Sequence, residues 1–412
     1  MGGPMKKEYR TYVGIDWADQ AHQVSLREAT TERVEEKSFD HTGAGLRAMV
    51  EWLAKRAGGR TDEVAVAIEI TRGAIVETLL ERGFAVFAIN PKQLDRFRDR
   101  HTVAGAKDDR RDAFVLLHSL STDRPAFRKL EIEDPTIMRL REHARMHEDL
   151  KQDLRRLTNQ LRAQLHRYYP QMLALCSGAD EPWLWDLIER VPLPEQGARV
   201  RERSVERILG DHKIRRHSAP EVVELLKTPA LPVAPGAAES ARDHVVMLLP
   251  RLRLTREQLH EVEIRLGRLL DEMESAEEIG GHHDVAIIRS WPGLGIIASA
   301  MMLAEAWRPL GSRDYHWLRA LCGVAPVTKQ SGKSRQVMMR QACNERLRSA
   351  VHWWAGSAVL HDPKAKALYQ SQRARGHSHG RSVRAVADRL LRDLVVCLSK
   401  QEVYRAELRR VA

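Results

Sequence analysis

TYVGIDWADQAHQVSLRE, residues 11–28, sets the fold of the N-terminal part of the chain. Its first six residues are largely apolar and end on Asp16, which is typical of a short buried strand with an acid at its end. QAHQVSLRE (20–28) alternates between polar and apolar residues with period 2, and ERVEEKSFD (32–40) repeats that alternation. The sequence therefore predicts three strands in succession, of which the second and third are antiparallel neighbours.

The rest of residues 1–125 predicts helices and strands in alternation, as in an α/β domain. EVAVAIEI (63–70) is typical of a buried strand, and FAVFAIN (84–90) of the next one. Gly83 is placed to cap the C-terminus of the helix before it. A proline at the start of the last helix is tolerated, because the first N–H of a helix has no partner. The helices are predicted near 45–57, at 73–82 and from Pro91 onward.

Residues 126–278 predict a helical middle domain. DLKQDLRRLTNQLRAQL (149–165) and LTREQLHEVEIRLGRLL (254–270) place apolar residues at steps of three and four, which makes one apolar stripe on each helix. Two such helices either pair antiparallel within one chain or join two chains, and we favour a dimerising coiled coil. The stretch 175–245 is rich in proline and arginine and receives no assignment.

Composition restricts the class of protein. The 412 residues include 67 Lys and Arg against 56 Asp and Glu, a formal net charge of +11, which favours a polyanionic partner such as nucleic acid. No apolar run is long enough to span a membrane, and the start leads straight into a strand, so we expect neither a membrane partner nor a signal peptide. The four cysteines have no metal-like spacing and are expected to be reduced thiols of a cytoplasmic protein.

Four carboxylates fall where a folded sheet would bring them together. Asp16 ends the first strand, and Glu69 lies near the end of a later strand. Asp109 and Asp112 lie three apart on or beside a helix, so both can face the same way. Converging carboxylates repel one another, and divalent cations with a preference for oxygen relieve that repulsion. We therefore predict that these acids are catalytic and hold Mg²⁺ or Mn²⁺, the metals of phosphodiester chemistry.

Weaker interpretations of the same acids stay open. Asp16 can serve as a turn or helix-cap residue, and Glu69 as a surface residue at a strand end. Asp108 is left out of the set, and Asp19, which could substitute for Asp16, lies beyond the strand end.

Residues 279–412 predict a third domain, basic and mostly helical, with two candidate sites for nucleic acid. WPGLGIIASAMMLAEA (291–306) resembles the turn of a helix-hairpin-helix module. Its Gly293 and Gly295 would expose backbone N–H groups at a helix start, where a phosphate can bind without sequence being read. The alternative is an ordinary tight turn.

The second candidate is CGVAPVTKQSGKSRQ (322–336), which contains a predicted loop around APVTKQSGKSRQ (325–336). Ser331 precedes Gly332, whose lack of a side chain lets another backbone approach. A serine in this position could attack phosphorus and hold a phosphoserine link to DNA. The alternative is a basic loop with a capping serine, and Ser334 is the nearest rival nucleophile. The cations predicted to bind the phosphate are Lys329, Lys333 and Arg335.

The strand order, with an acid on the first and fourth strands and a closing D-x-x-D, resembles the RNase H-like fold in its Holliday-junction-resolvase variant. The whole chain resembles the DEDD transposases of the IS110 insertion-sequence family. The N-terminal motifs VGID, AIEITRG and AKDDRRDA carry this resemblance, as do WPGLGIIASAMMLAEA, LCGVAPVTKQSGKS and ACNERLRSAVHWWA in the C-terminal domain. The helical middle agrees in kind only.

Two positions depart from the family pattern. The family's last acids usually follow K-T-D-x-x-D-A, so Asp108 stands where a threonine is common, and Asp109 and Asp112 match the acid pair. The glutamate motif is usually E-x-T-G, and here Arg72 is inserted before Gly73. The first departure hardly affects the metal ligands, whereas the second changes the local loop.

The resemblance implies a recombinase that moves its own element between double-stranded donor and target DNA. It implies that the four acids act together with a serine that maps to Ser331. It also implies a structured non-coding RNA that pairs with both DNAs, a homo-oligomer (dimer or tetramer), and action at the bacterial nucleoid. The alternative is a metal-dependent nuclease or junction resolvase that hydrolyses DNA without the serine; a non-catalytic nucleic-acid-binding protein ranks below both.

Overall fold

The computed structural model of the chain describes residues 9–101, 109–132, 134–234, 236–280, 283–332 and 334–405, with backbone alone at 100, 101 and 277–280. The chain divides into two compact units, Met1–Asp134 and Pro135–Ala412. Among the helices described, none is both long and apolar enough to cross a membrane. The finer division into three domains at residues 125 and 278 stays a prediction.

The first unit is an α/β domain, as the sequence predicts. Its strands are β1 (Thr11–Asp16), β2 (Ala21–Glu28), β3 (Val34–Asp40), β4 (Val64–Ile68), β5 (Ala85–Ala88) and the short β6 (Arg128–Lys129). Its helices are α1 (Gly43–Arg56), α2 (Ala74–Glu81), α3 (Pro91–His101) and α4 (Asp109–Thr122), with 3-10 turns at Thr61–Glu63 and Arg124–Ala126. Pro91 begins α3 and Gly83, with φ of +82°, follows α2, as predicted.

The six strands form one mixed sheet in the order β3-β2-β1-β4-β5-β6. β1 pairs antiparallel with β2, and β2 with β3, whereas β1, β4 and β5 run parallel. The parallel strands are buried on both faces, because α1 and α2 contribute to one hydrophobic core while α3 and α4 contribute to the other. This double burial accounts for the continuous apolar runs in β4 and β5.

Gly14 lets β1 approach α4 more closely than any other residue would allow. A Cβ atom at Gly14 would lie 1.9 Å from the carbonyl oxygen of Ala113 and 2.5 Å from the backbone nitrogen of Leu117. Both neighbours are backbone atoms of a helix and cannot rotate away. The glycine in the motif VGID therefore sets the distance between the strand that ends on Asp16 and the helix that carries Asp112.

We expect Gly14→Ala to destabilise the first unit by about 3 kcal/mol or more, since overpacking that forces backbone shifts costs 1–3 kcal/mol or above. Gly43→Ala is the matched control, because a Cβ at Gly43 meets nothing within 4 Å. Chemical denaturation of both variants measures the difference. Equal stability of the two variants would contradict the close approach of β1 and α4.

The second unit is almost entirely helical. Its helices are α5 (Pro135–Tyr168), α6 (Gln171–Leu175), α7 (Pro182–Arg190), α8 (Pro194–Gly197), α9 (Glu202–Asp211), α10 (Ala219–Leu226), α11 (Ala237–Gly280), α12 (Asp284–Arg289), α13 (Ile296–Gly311), α14 (Tyr315–Leu321), α15 (Glu345–His361), α16 (Pro363–Ala374) and α17 (His379–Lys400). Its two strands are β7 (Val327–Ser331) and β8 (Ser334–Met338).

The two leucine-striped helices, α5 and α11, pack against each other within one chain. Their direction is antiparallel, since Arg139 pairs with Glu272 at 3.7 Å and His147 with Glu263 at 3.3 Å. Much of the stripe is buried, with Leu161 and Leu266 fully inaccessible. The structure thus has the internal pair that the sequence left open, and a dimer through these helices stays a prediction.

Each end of the α5–α11 pair has its own hydrophobic core. The core at one end joins the first part of α5 and the last part of α11 to helices α12–α17. The core at the other end encloses Trp183 and Trp185 of α7 and holds α6, α9 and α10. The proline- and arginine-rich stretch 175–245, which received no assignment, therefore includes a compact helical bundle.

The predicted loop around residues 325–336 is wrong: most of it is a β-hairpin. β7 and β8 pair antiparallel from Val327↔Met338 to Ser331↔Ser334. Every described residue of the two strands is exposed, so the hairpin has no buried face and lacks the apolar alternation that marks a strand in sequence.

Candidate active site

Asp16 and Glu69 project from the same edge of the sheet. Asp16 is the last residue of β1, and Glu69 directly follows β4. The two strands are parallel neighbours in a register that pairs Ile15 with Ile68, so the acids occupy the next pair of positions. Adjacent strands lie about 4.8 Å apart, which places the two residues side by side at the carboxyl ends of the strands.

Helix α4 brings the other two acids to that edge. Asp109 and Asp112 both lie in its first turn, where a carboxylate also interacts favourably with the helix dipole. Asp109 is exposed, whereas Asp112 is buried with 5% of its surface accessible. The contact of α4 with β1 at Gly14 holds Asp112 near Asp16. The structure thus brings all four predicted acids to one region of the first unit.

Arg98 of α3 lies among these acids and was not anticipated from the sequence. Its Nε donates to Asp112 Oδ1 at 2.7 Å and one Nη to Asp112 Oδ2 at 2.9 Å, a bidentate pair. The same Nη donates to Glu69 Oε1 at 3.2 Å, and the other Nη to Asp95 Oδ1 at 2.7 Å. One guanidinium group therefore compensates three carboxylates at once.

The pKa of Asp16 is shifted because this residue lies in a crowded, negatively charged site. The pKa of its carboxyl group is raised from 3.8 to about 6, first by burial and then by the negative charges of Asp112, Asp109 and Glu69, in that order. Arg98 opposes the rise without cancelling it. The site therefore retains excess negative charge, which a bound cation would stabilise.

The donor set fits a hard divalent cation, because all four side chains offer carboxylate oxygens at the end of a sheet. Among the residues described, however, no three of these acids have ligand atoms within 4.8 Å of one another. The guanidinium of Arg98 bonds both Glu69 and Asp112 and so bridges these two carboxylates.

In the described part of the chain, the group of three ligand-type side chains that does lie within 4.8 Å is Cys176, Asp180 and Glu181. The Cys176 thiol donates to Glu181 at 3.4 Å, and Trp183 Nε1 donates to the same carboxylate at 2.8 Å. Arg216 neutralises Glu181 with Nη–O distances of 2.6 Å. Glu181 thus already has a cation and two further donors as partners, and these bonds stabilise the start of α7.

Replacing Arg98 with glutamine should expose the repulsion among the acids. We expect a loss of about 3 kcal/mol in the metal-free protein, as for other ion pairs broken at a partly buried carboxylate. We also expect Mg²⁺ to raise the melting temperature of Arg98→Gln more than that of the wild type. Arg96→Gln, an exposed change of equal charge on the same helix, should alter neither quantity; an equal Mg²⁺ response in both variants would argue against a cation site.

Ser331 belongs to the second unit and lies at the tip of the β7–β8 hairpin. It is the last residue of β7 and is paired with Ser334, the first residue of β8. Gly332 has φ of +54°, in the left-handed region that glycine adopts without strain. Ser331 is exposed, and within the described residues its hydroxyl group has no hydrogen-bond partner. The hydroxyl is therefore accessible to an incoming phosphate.

The predicted cations around Ser331 are partly described. Lys329 on β7 and Arg335 on β8 are exposed, and Lys333 lies outside the described residues. Lys329 is opposite Gln336, and Arg335 is opposite Gln330. The hairpin thus carries positive charge on both strands close to the serine.

The glycine-rich turn at 292–295 joins α12 to α13, as the sequence predicts. Gly293 has φ of +83°, and a Cβ there would lie 2.9 Å from Ser357 Oγ. Trp354 Nε1 donates to the carbonyl of Pro292 at 3.1 Å, which fixes the turn on α15. Gly295 precedes α13 and supplies no side-chain cap. Phosphate binding by this turn stays a prediction.

Nothing in the spacing of the sequence distinguishes Arg98 from its neighbours in QLDRFRDR. It is 29 residues from Glu69 and 14 from Asp112. One signal was available: β4 and β5 are parallel neighbours, so the helix after β5 starts at the edge that carries Glu69. The strand order therefore identifies α3 as a helix near the site, but it does not distinguish Arg98 from Arg96.

Known proteins resemble this chain along most of its length. Residues 13–170 match the model of the DEDD transposases of IS110 elements, and residues 285–370 match the model described as "Transposase IS116/IS110/IS902 family". "Putative transposase y4uE" of Sinorhizobium fredii is 45% identical over 242 residues, 58% of this chain and 66% of that protein. "Mini-circle putative transposase for IS117" of Streptomyces coelicolor is 29% identical over 399 residues, 95% of this chain and 94% of that protein.

These matches place the chain among the transposases of the DEDD class. The chain belongs to the IS110 family of insertion-sequence transposases. DNA recombination is the activity that membership in this family implies.

Proposed function

We propose that this transposase exchanges DNA strands through Ser331 as nucleophile, assisted by a metal-binding site of Asp16, Glu69, Asp109 and Asp112. The observation that carries the proposal is the excess negative charge at Asp16, since an acid with a pKa of about 6 among three others suits a divalent cation. Mg²⁺ is the first candidate and Mn²⁺ the second.

An RNase H-like fold for the first unit forms part of this proposal. The strand order β3-β2-β1-β4-β5 supports it, with three antiparallel strands followed by two parallel ones. The acids lie at the carboxyl ends of β1 and β4, where ligands of open α/β sheets bind. α4 closes the site from one face of the sheet, because its first turn carries the last two acids.

The four carboxylates would hold one or two cations. When bound, the metal would supply Lewis-acid stabilisation of negative charge on phosphate oxygens. Asp16 and Glu69 are fixed by strand ends and Asp112 by burial, so three donors are held in place before DNA arrives. Arg98 bonds both Glu69 and Asp112 and would have to release them to a cation, keeping its bond to the exposed Asp95.

Ser331 would attack the scissile phosphorus with its Oγ. A phosphoserine bond forms, the bond from phosphorus to a deoxyribose oxygen breaks, and the serine proton leaves with the hydroxyl group that is released. A hydroxyl of a second strand later attacks the phosphoserine and restores Ser331. Bond energy is conserved in the covalent link, so no nucleotide triphosphate is consumed. Lys329 and Arg335 would neutralise the phosphate during both steps.

Two partners complete the proposal. The net charge of +11 suits simultaneous binding of duplex DNA and of a structured RNA transcribed from the element. A homo-oligomer, dimer or tetramer, would hold donor and target together. The exposed hairpin supports assembly, because a two-stranded ribbon without a buried face gains order by contact with a partner.

A strand-transfer assay separates this function from hydrolysis. Full-length protein is mixed with element-junction DNA, target DNA, the transcribed RNA and Mg²⁺, and the products are sequenced. Joined donor and target strands that vanish with EDTA support the proposal. Cleaved ends without joined strands, formed equally by Ser331→Ala, would establish the hydrolytic resolvase instead.

A further inference from the structure

A cavity of about 280 Å³ lies beside the base of the β7–β8 hairpin. Six of its lining residues matter for its chemistry: Gly323, Met339, Glu345, Arg348, His352 and Arg384. The cavity has room for a phosphate group, since a water molecule takes roughly 30 Å³ in the liquid. All of its lining residues belong to the second unit, and they do not include the residues of the hairpin tip.

Arg384 is the unusual member of this cavity. It is partly buried on α17, and in the described part of the chain it has no carboxylate within salt-bridge distance. Its Nη1 instead meets the sulfur of Met339 at 3.2 Å. Burial lowers the pKa of Arg384, and the like charges of Arg381 and Arg348 lower it further. A partly buried cation without a counter-charge is costly unless an anion joins it.

Neighbouring arginines of the same helical core show the contrast. Arg319 pairs with Asp388 of α17 at 2.6 Å, and this bond raises its pKa. Arg289 likewise pairs with Glu274 at 2.6 Å. The fold therefore provides carboxylates for partly buried arginines elsewhere in this core and leaves Arg384 without one.

Arg348 provides a second, fixed cation. One Nη donates to the carbonyls of Arg340 at 3.2 Å and Gln341 at 3.0 Å, and also contacts the sulfur of Cys343. Its Nε is buried beneath Gly323 and has no hydrogen-bond partner among the residues that the structure describes. Glu345 is the acid on the cavity wall and is exposed at the start of α15. Two arginines against one glutamate leave the cavity positive.

We propose that the cavity of Arg348 and Arg384 binds a backbone phosphate of the DNA strand that crosses the hairpin. Phosphodiester is the anion class that a basic transposase meets, and arginine pairs of this kind bind phosphate oxygens with directed N–H groups. His352 adds a ring nitrogen at the same wall. The inference rests on the proposed function for the identity of the strand, but not for the anion site itself.

The position of the cavity determines what a phosphate bound there would do. Met339 directly follows β8, and Ser331 is opposite the first residue of that strand. Five strand residues span about 17 Å, which equals about five nucleotide steps along a duplex axis. A phosphate held here would fix the strand about that far from the phosphate at Ser331 and would orient the hairpin, because Arg348 bonds its following segment.

The test measures DNA affinity against salt, in EDTA, so that neither the acids nor Ser331 react. Fluorescence anisotropy with element-junction duplex is recorded between about 50 and 200 mM KCl for the full chain and for Arg384→Gln. We expect the slope of log K against log salt to fall by about 0.9 and the Kd to rise about tenfold, as for one lost phosphate contact. Arg384→Lys, which keeps the charge, should retain the slope.

Arg392→Gln is the matched control, because Arg392 is exposed on the same helix and lies over the Tyr315 ring. Its slope should equal that of the wild type. An unchanged slope in Arg384→Gln, an equal decrease in both variants, or a decrease seen with the element RNA but not with DNA would each overturn the proposal. Arg384→Met, which keeps the apolar stem, replaces the glutamine variant if that variant unfolds. These results do not depend on strand transfer, so they fail or succeed apart from the proposed function.

Discussion

Ser331→Ala is expected to lower the rate of strand exchange at least about ten-thousandfold, because loss of the nucleophile removes the covalent step itself. The fold should be unaffected. Ser331 is exposed at a hairpin tip and its hydroxyl has no hydrogen-bond partner among the residues described, so the stability change should stay within about 0.5 kcal/mol. Rates of joined-product formation and thermal unfolding measure the two effects.

Ser334→Ala is the matched control for that experiment. Ser334 is paired with Ser331 across the hairpin, is equally exposed, and adjoins the same cations. It should retain most of the activity. Loss of exchange in Ser334→Ala with full activity in Ser331→Ala would transfer the nucleophile to the other serine.

Asp16→Asn is expected to give opposite effects on activity and on stability. Activity should fall by at least about a thousandfold, because the cation site loses a carboxylate that is fixed by the strand. The metal-free protein should become more stable above about pH 7, since asparagine carries no charge into the crowded site. The gain is about 1–2 kcal/mol: a pKa of about 6 against 3.8 corresponds to about 3 kcal/mol before discounting for solvent screening at a half-buried group.

The sign of this effect fixes its pH dependence. Asp16 has a higher pKa in the folded chain than in the unfolded chain, so the folded state holds its proton more tightly. The stabilisation is fully present below about pH 4 and is lost as the pH rises through about 6. The wild type should show this decline in metal-free buffer, and Asp16→Asn should lack it.

Asp19→Asn provides the control for Asp16, because Asp19 is exposed three residues further along. It should change neither activity nor the pH dependence of unfolding. A variant of Asp16 that recombines DNA at the wild-type rate, or an Asp19 variant that loses activity, would contradict the assignment of Asp16 to the cation site.

Local patterns predicted the first unit well, because each strand is buried and adjacent strands follow closely in sequence. The alternation in residues 20–28 and 32–40 gave the antiparallel strands, and the run at 63–70 gave β4. Asp16 and Glu69 could be placed on one edge because parallel strands end together. The acids of α4 could be placed because a spacing of three keeps side chains on one helix face.

Features that depend on long-range packing were not predictable in the same way. Arg98 reaches Glu69 and Asp112 only after α3 and α4 fold over the sheet. The exposed hairpin has no apolar face to mark its strands. An internal helix pair and a dimer both require an apolar stripe of the kind seen on α5 and α11. The sequence therefore could not distinguish between the two arrangements.

The most direct test of Ser331 as the nucleophile is to identify the residue that becomes linked to DNA. A reaction with Mg²⁺ is stopped by denaturation, treated with nuclease and trypsin, and analysed by mass spectrometry. Trypsin cleaves after Lys329 and Lys333, so Ser331 and Ser334 fall on different peptides. We expect a nucleotide on the peptide Gln330–Lys333 of the wild type and no such modified peptide in Asp16→Asn. A nucleotide on any other peptide, or cleaved DNA with no linked peptide, would contradict this expectation.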